Sequence, residues 1–194
     1  SELDSDRIRD FLQRNAGSWV AEKLRSDWLR SLGKRGDFGP LLAEYPNLGQ
    51  PEQDIQCYRH QARLYSGDPA LLEEVRPLWF TLVDTPESCI PVLQALVREA
   101  LISPDEIWWR VRRLMEAKRN AGARAVAGWL PSDKQPAAAD LDRASANPST
   151  WLDRLPVNFS ASRAGRELAL IALARLARDD PQGAYVRYLS INER

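Results

Sequence analysis

The chain has 194 residues, 44% of them hydrophobic, with 27 Lys plus Arg against 27 Asp plus Glu for a formal net charge of zero. That length and apolar content can bury a core, in one domain or one extended repeat array, which excludes a disordered chain. Balanced charge lacks the cationic excess of a nucleic-acid binder, and no apolar run approaches the roughly 20 residues that span a bilayer.

In chain order, the opening SELDSDRIRD has no apolar h-region after its charges, which leaves the compartment open because a secretory leader can be cleaved. Val20, Leu24, Trp28, Leu29 and Leu32 then form an apolar stripe along one helix face, which Gly33 is expected to end. Asp37 has the character of an N-cap for a short helix through Phe38, Leu41, Leu42 and Tyr45, stopped by Pro46 and Asn47, and the two helices read as an antiparallel hairpin. Further faces follow at Ile55, Tyr58, Ala62 and Tyr65, at Leu71, Leu72, Val75, Leu78 and Trp79, and at Ile90, Leu93, Leu96 and Val97. Ser103 and Glu106 have capping-box spacing with Pro104 in the first turn, and they open a helix containing Ile107, Val111 and Leu114. Ala123, Val126, Ala127 and Leu130 continue the series. From Pro131 to Pro148 the composition shifts to Ala, Pro, Ser and Asp, which predicts weaker helix or loop with little core of its own. A long helix around Leu168, Ile171, Ala172 and Arg175 is apolar over most of its circumference, and Asp180 with Pro181 starts the last one.

No segment alternates with period two, so the fold class is all-α, with about ten to twelve short helices joined by brief connections. Consecutive hairpins of this kind pack each on the next, giving a curved superhelix. WLRSLG followed by GDF is faintly similar to a tetratricopeptide repeat, but no second copy recurs at a constant period, so the array is degenerate.

The segments WLRSLGKRGDF (Trp28 to Phe38), CYRHQARLYSGD (Cys57 to Asp68), the Cys89 segment, IWWRVRRLMEA (Ile107 to Ala117) and LARLARDDPQGAYVRYL (Leu173 to Leu189) resemble the superhelical domain of soluble lytic murein transglycosylases. The resemblance implies one α-superhelical domain over residues 1–194, a right-handed α-α superhelix of short antiparallel helix hairpins forming a U-shaped array, as a fragment of a longer periplasmic protein whose lysozyme-like catalytic domain is absent. Such enzymes cleave the glycan strands of peptidoglycan and leave 1,6-anhydromuramyl ends. The implied function is non-catalytic: shaping access to the active site or positioning the strand, with peptidoglycan, and other cell-wall proteins, as partners. A stand-alone helical-repeat adaptor for protein partners is the alternative. The family's catalytic Glu-Ser pair is followed by a Gly-x-Met-Gln segment; here the dipeptide is Glu87-Ser88 and the single methionine is Met115, between Leu114 and Glu116. Glu87-Ser88 therefore reads as a helix start, and no catalytic residue is assigned.

Cys57 and Cys89 lie on different predicted helices, and by themselves they fit a disulfide or two buried thiols equally well. The resemblance supports the disulfide, which would stabilise the fold by about 3.5 to 4 kcal/mol in the chain-entropy model. Two cysteines and one histidine make a poor zinc site, so neither metal nor cofactor is expected. His60, the sole histidine, lacks an orienting motif and reads as a helix-surface residue. Trp108, Trp109, Arg110, Arg112 and Arg113 are candidates for contact with a glycan or anionic polymer, against a default in which the charges, with Lys118 and Arg119, form a solvated face and a tryptophan packs in the core. Of the seven tryptophans, only an exposed one would count as a sugar platform.

Overall fold

A computed structural model of the chain describes residues 2–192; Ser1, Glu193 and Arg194 of the expected 1–194 span lie outside the described residues. The α-helices are α1 (Glu2–Arg14), α2 (Trp19–Arg35), α3 (Phe38–Glu44), α4 (Gln53–Tyr65), α5 (Leu71–Val75), α6 (Leu78–Thr81), α7 (Ile90–Arg98), α8 (Pro104–Glu116), α9 (Asn120–Ala127), α10 (Ala138–Ala146), α11 (Pro148–Asp153), α12 (Arg163–Asp179) and α13 (Pro181–Asn192). Four single 3₁₀ turns punctuate them, and no strand occurs among the described residues. No helix of the described residues is long and apolar enough to cross a membrane.

Two compact units emerge. The first runs through Arg98 except for Leu82–Asp84, and the second comprises those three residues with the chain from Glu99 onward. In the first unit, Leu12, Ala21, Trp28, Leu29, Leu32, Leu41, Leu48, Ile55 and Ala62 form one buried cluster, with Tyr58 and Phe38 packed at its edge. Val20, expected on the inward stripe, is exposed, and Ala21 takes its place. The helix also outruns Gly33. Ser18 Oγ accepts a hydrogen bond from Ala21 N at 3.1 Å at the start of α2, and the helix ends at Gly36, whose φ of 74° only glycine adopts freely. The amides of Gly36 and Asp37 donate to the carbonyls of Gly33 and Leu32, closing the last turn. Gly33 is instead a contact point: a Cβ there would stand 2.2 Å from Cγ of the Tyr58 ring, so its missing side chain lets α4 lie close against α2.

The second unit opens on the expected capping box. Ser103 Oγ accepts from Glu106 N at 3.3 Å, while Glu106 Oε2 accepts from Ser103 N at 2.8 Å. The Ala- and Pro-rich stretch is more ordered than its composition predicts: α10 occupies 138–146 and buries Leu141 and Ala144. Small side chains let this short helix approach its neighbours closely despite presenting few large apolar groups. Along α12, Leu168, Ile171 and Ala172 are buried as expected, but Leu170 is exposed, so the helix is not covered all round. Asp180 Oδ1 accepts from Gly183 N at 2.8 Å and starts α13.

Candidate functional site

Cys57 on α4 and Cys89, at the end of the 3₁₀ turn Glu87–Cys89, are joined by a disulfide with their Cα atoms 4.9 Å apart. The turn is tied to α4 twice more: Ser88 Oγ donates to the Asp54 carbonyl at 2.9 Å, and Gln61 Nε2 donates to the Ser88 carbonyl at 2.6 Å. Ser88 is thus a buried structural hydroxyl, and Glu87 beside it is exposed. His60 differs from expectation, because it is buried rather than on the surface. Its Nδ1 has no hydrogen-bond partner among the described residues, and burial pushes the imidazole below its ordinary range.

The five candidate contact residues on α8 are dispersed by the helix rather than gathered. Trp108 and Arg110 are each only 1% exposed, so neither presents a face to a polymer. That corrects the expectation of a solvated charge face at Arg110: a position two residues from Trp108 and three from Ile107 falls on the inward stripe. Burial, and then the nearby Arg113 charge, push the Arg110 guanidinium down to about 10. Arg112 reaches sideways instead, donating to Glu167 Oε2 at 2.5 Å. Glu167, 2% exposed, also receives Arg163 at 2.7 Å, and this buried carboxylate had no sequence signal beyond its place in an amphipathic helix. Trp109 is half-buried and Arg113 exposed, with the Arg113 guanidinium 5.4 Å from the Trp109 ring centroid.

Among the other tryptophans, Trp19 is 77% exposed, whereas Trp28 and Trp79 are buried. It borders an open hollow of about 430 Å³ with Glu22, Lys23 and Gln50. Glu22 is committed there to Arg25 and to the Gly49 amide.

A larger cleft lies in the second unit. Its cavity of about 1010 Å³ is bounded by α10, α11, the segment 154–162 and the first turn of α12. Its lining includes Trp151 and Phe159, the amides of Asn147 and Asn158, and Arg143 and Arg154. Each wall has its own anchor. Gln135 Nε2 donates to the Gly128 and Leu130 carbonyls at 3.0 and 2.7 Å, fixing the approach to α10. From α13, Arg187 reaches Ser149 Oγ at 2.6 Å and both oxygens of Asp153 at 3.0 and 3.2 Å, holding α11 by a charged fork. The Phe159 carbonyl rests against Gly165, where a Cβ would come within 1.9 Å of it, so the segment carrying Phe159 can sit directly on α12. Leu155 and Leu168, both buried, form apolar backing.

Arg143 is paired with Asp140 at 3.2 Å. Arg154 has no side-chain hydrogen bond or ion pair among the described residues, leaving a guanidinium available to an anion. Sequence reasoning missed this cleft because Trp151, Arg154 and Phe159 follow the stretch read as weak structure. The available signal was Asn147-Pro148, a helix-start pair, with Trp151 and Arg154 three residues apart on the short helix and its end. No group of three His, Cys, Asp or Glu side chains among the described residues is placed to hold a metal.

Comparison with known proteins places these features. No family model matches the chain. Over 178 residues, 91% of this chain, it is 26% identical to the soluble lytic murein transglycosylase of Escherichia coli, and 25% identical to that of Salmonella typhimurium. The chain spans 27% of the length of those relatives. Among solved structures, it matches the 70-kDa soluble lytic transglycosylase of Escherichia coli with a TM-score of 0.67 at 24% identity, covering 96% of this chain and 30% of the other. A complex of the 70-kDa enzyme with bulgecin A aligns at 0.68. An inactive mutant of the lytic transglycosylase Slt from Pseudomonas aeruginosa aligns at 0.63 with 25% identity, covering 94% of this chain and 29% of that one. The chain is thus similar to lytic transglycosylases over most of its length, and the all-α fold class expected from its sequence is the one its described residues have.

Proposed function

We propose that this chain is the non-catalytic helical part of a peptidoglycan-cleaving lytic transglycosylase, and that it holds or guides the glycan strand rather than cutting it. The observation that carries this reading is a resemblance to soluble lytic murein transglycosylases over 91% of the chain, in a sequence that lacks Glu-Ser followed by Gly-x-Met-Gln. The cleft around Trp151 supports it, since flat aromatic rings and amides are what a chain of pyranoses needs for stacking and hydrogen bonding. Trp109 with Arg113 on α8 is a second strand contact in this proposal, and residues 1–194 are one fragment of a longer enzyme. The disulfide accords with an oxidising, extracytoplasmic compartment such as the periplasm.

The alternative, an adaptor for other proteins, draws on the exposed Tyr185, Val186, Tyr188 and Leu189 of α13, because apolar side chains grouped on a surface suit a protein partner. Co-sedimentation of the chain with purified peptidoglycan sacculi, combined with mass spectrometry of the supernatant, tests the first reading. The expected result is a salt-sensitive pellet fraction and no released 1,6-anhydromuramyl products. Released products would overturn the non-catalytic role, and a chain left entirely in the supernatant would favour the adaptor.

A further inference from the structure

We infer that a slot between α8 and α12 binds a free aliphatic α-amino acid about the size of leucine. Its carboxylate meets Arg175 and Arg178, its ammonium meets Glu116, and its side chain lies over Met115 and Ile171. The inference stands apart from the peptidoglycan reading, because the slot shares no lining residue with the cleft around Trp151. Three observations carry it. The first is size: the slot holds about 40 Å³, about three times the roughly 10–15 Å³ that one water requires, which suits a branched aliphatic side chain and excludes a pyranose or a large aromatic ring. The second is the apolar wall. Met115 and Ile171, each 6% exposed, are its buried part, and Leu170, 52% exposed, is an apolar rim that a bound side chain covers. The third is charge. Arg112 is engaged by Glu167, and Arg178 Nη1 donates to the Glu116 carbonyl at 3.0 Å, which holds that guanidinium at the end of α8 with further N–H donors to offer. Arg175 is half-buried and makes no hydrogen bond or ion pair among the described residues, and the Glu116 carboxylate likewise pairs with no cation among them.

Opposite charges that line one slot without pairing select a ligand that bears both. A simple anion would be repelled by Glu116 and a simple cation by the arginines, whereas a carboxylate and an ammonium on one carbon atom satisfy both poles together. Charge-assisted hydrogen bonds hold each pole, and the apolar wall sets which side chain is accepted. Glycine as a ligand leaves that wall uncovered, and the ring of phenylalanine exceeds the slot.

The test is an amide NMR titration of the full chain with leucine and its relatives, which reads even weak binding as saturable shifts. Leucine should saturate, with the shifts centred on Glu116, Leu170 and Arg175. N-acetyl-leucine, which lacks the ammonium, and leucinamide, which lacks the carboxylate, should each bind at least about tenfold more weakly, as should glycine and phenylalanine. Arg175→Met and Glu116→Gln should each weaken leucine about tenfold or more, and Arg175→Lys should keep part of the affinity. Ala174→Leu, which fills the slot from an exposed position, should abolish binding with every charge in place. None of these substitutions strands a charged partner, and far-UV circular dichroism checks the fold. Shifts that do not saturate with leucine, equal binding of glycine, or unchanged leucine affinity in Arg175→Met or Ala174→Leu would each overturn the inference. So would equal binding of N-acetyl-leucine or leucinamide, which would assign the slot to a chain terminus instead.

Discussion

At the scale of single residues, the consequential side chains are those whose burial contradicts their polarity. Arg25 is buried on α2 yet meets Glu44 at 2.8 Å and pairs with Glu22, so its charge is compensated. Glu167 is compensated by two arginines in the same way. His60 is not: its buried Nδ1 lacks a partner among the described residues, and desolvation, its largest influence, favours the neutral ring, with the Arg59 and Arg63 charges acting in the same direction and Glu74 opposing them. The folded-state pKa therefore lies below the unfolded value of about 6.5. Below that value the unfolded chain takes up a proton the folded chain resists, so stability is full above about pH 6.5 and declines as pH falls through the window beneath it. Denaturant titrations at pH 7.5 and pH 5.5 check this. The difference in midpoint between the two should shrink in His60→Phe, and an undiminished difference would assign the acid sensitivity to other groups.

Among the elements, helix ends were more legible than helix faces. The capping box at Ser103 and the start at Asp180 follow from short-range chemistry in which a side-chain oxygen satisfies an amide three residues away, while α3 stops where Pro46, which has no amide hydrogen, enters the 3₁₀ turn Tyr45–Asn47. Gly33 shows where that reasoning fails. Glycine after an apolar stripe is a stop signal locally, but here the next glycine, Gly36, supplies the left-handed cap and Gly33 makes room for Tyr58. Gly33→Ala should therefore lower stability by about 1–2 kcal/mol, the overpacking cost outweighing the roughly 1 kcal/mol that alanine gains over glycine inside a helix. In a Tyr58→Ala background the penalty should vanish and the gain in helix propensity remain, a double-mutant cycle readable from chemical denaturation. Equal penalties in both backgrounds would mean that the ring is not what Gly33 accommodates.

For the molecule as a whole, the two compact units differ in how they are held. The first carries the disulfide, which closes a loop between positions 32 apart and is worth about 3.5 to 4 kcal/mol in the chain-entropy model; the second has no covalent cross-link among its described residues. Reduction should accordingly lower amide hydrogen-exchange protection in α4 and α7 well before it does so in α8 and α12. Exchange mass spectrometry with and without reductant reads this directly, and uniform loss of protection across both units would show that they unfold as one. The fold class, most helix positions, the capping box and the resemblance to lytic transglycosylases were all decided by the sequence, because apolar periodicity and caps are local properties that survive translation into structure. The cysteine pairing was suggested by that resemblance and established by proximity in the fold. Only tertiary structure decided that Trp108 and Arg110 turn inward while Trp109 is half-covered and Arg113 exposed, and that Trp151, Arg154 and Phe159 line one cleft. Residues of that kind are assembled from several short elements, and which of their faces stays open depends on the neighbours each element packs against rather than on its own sequence.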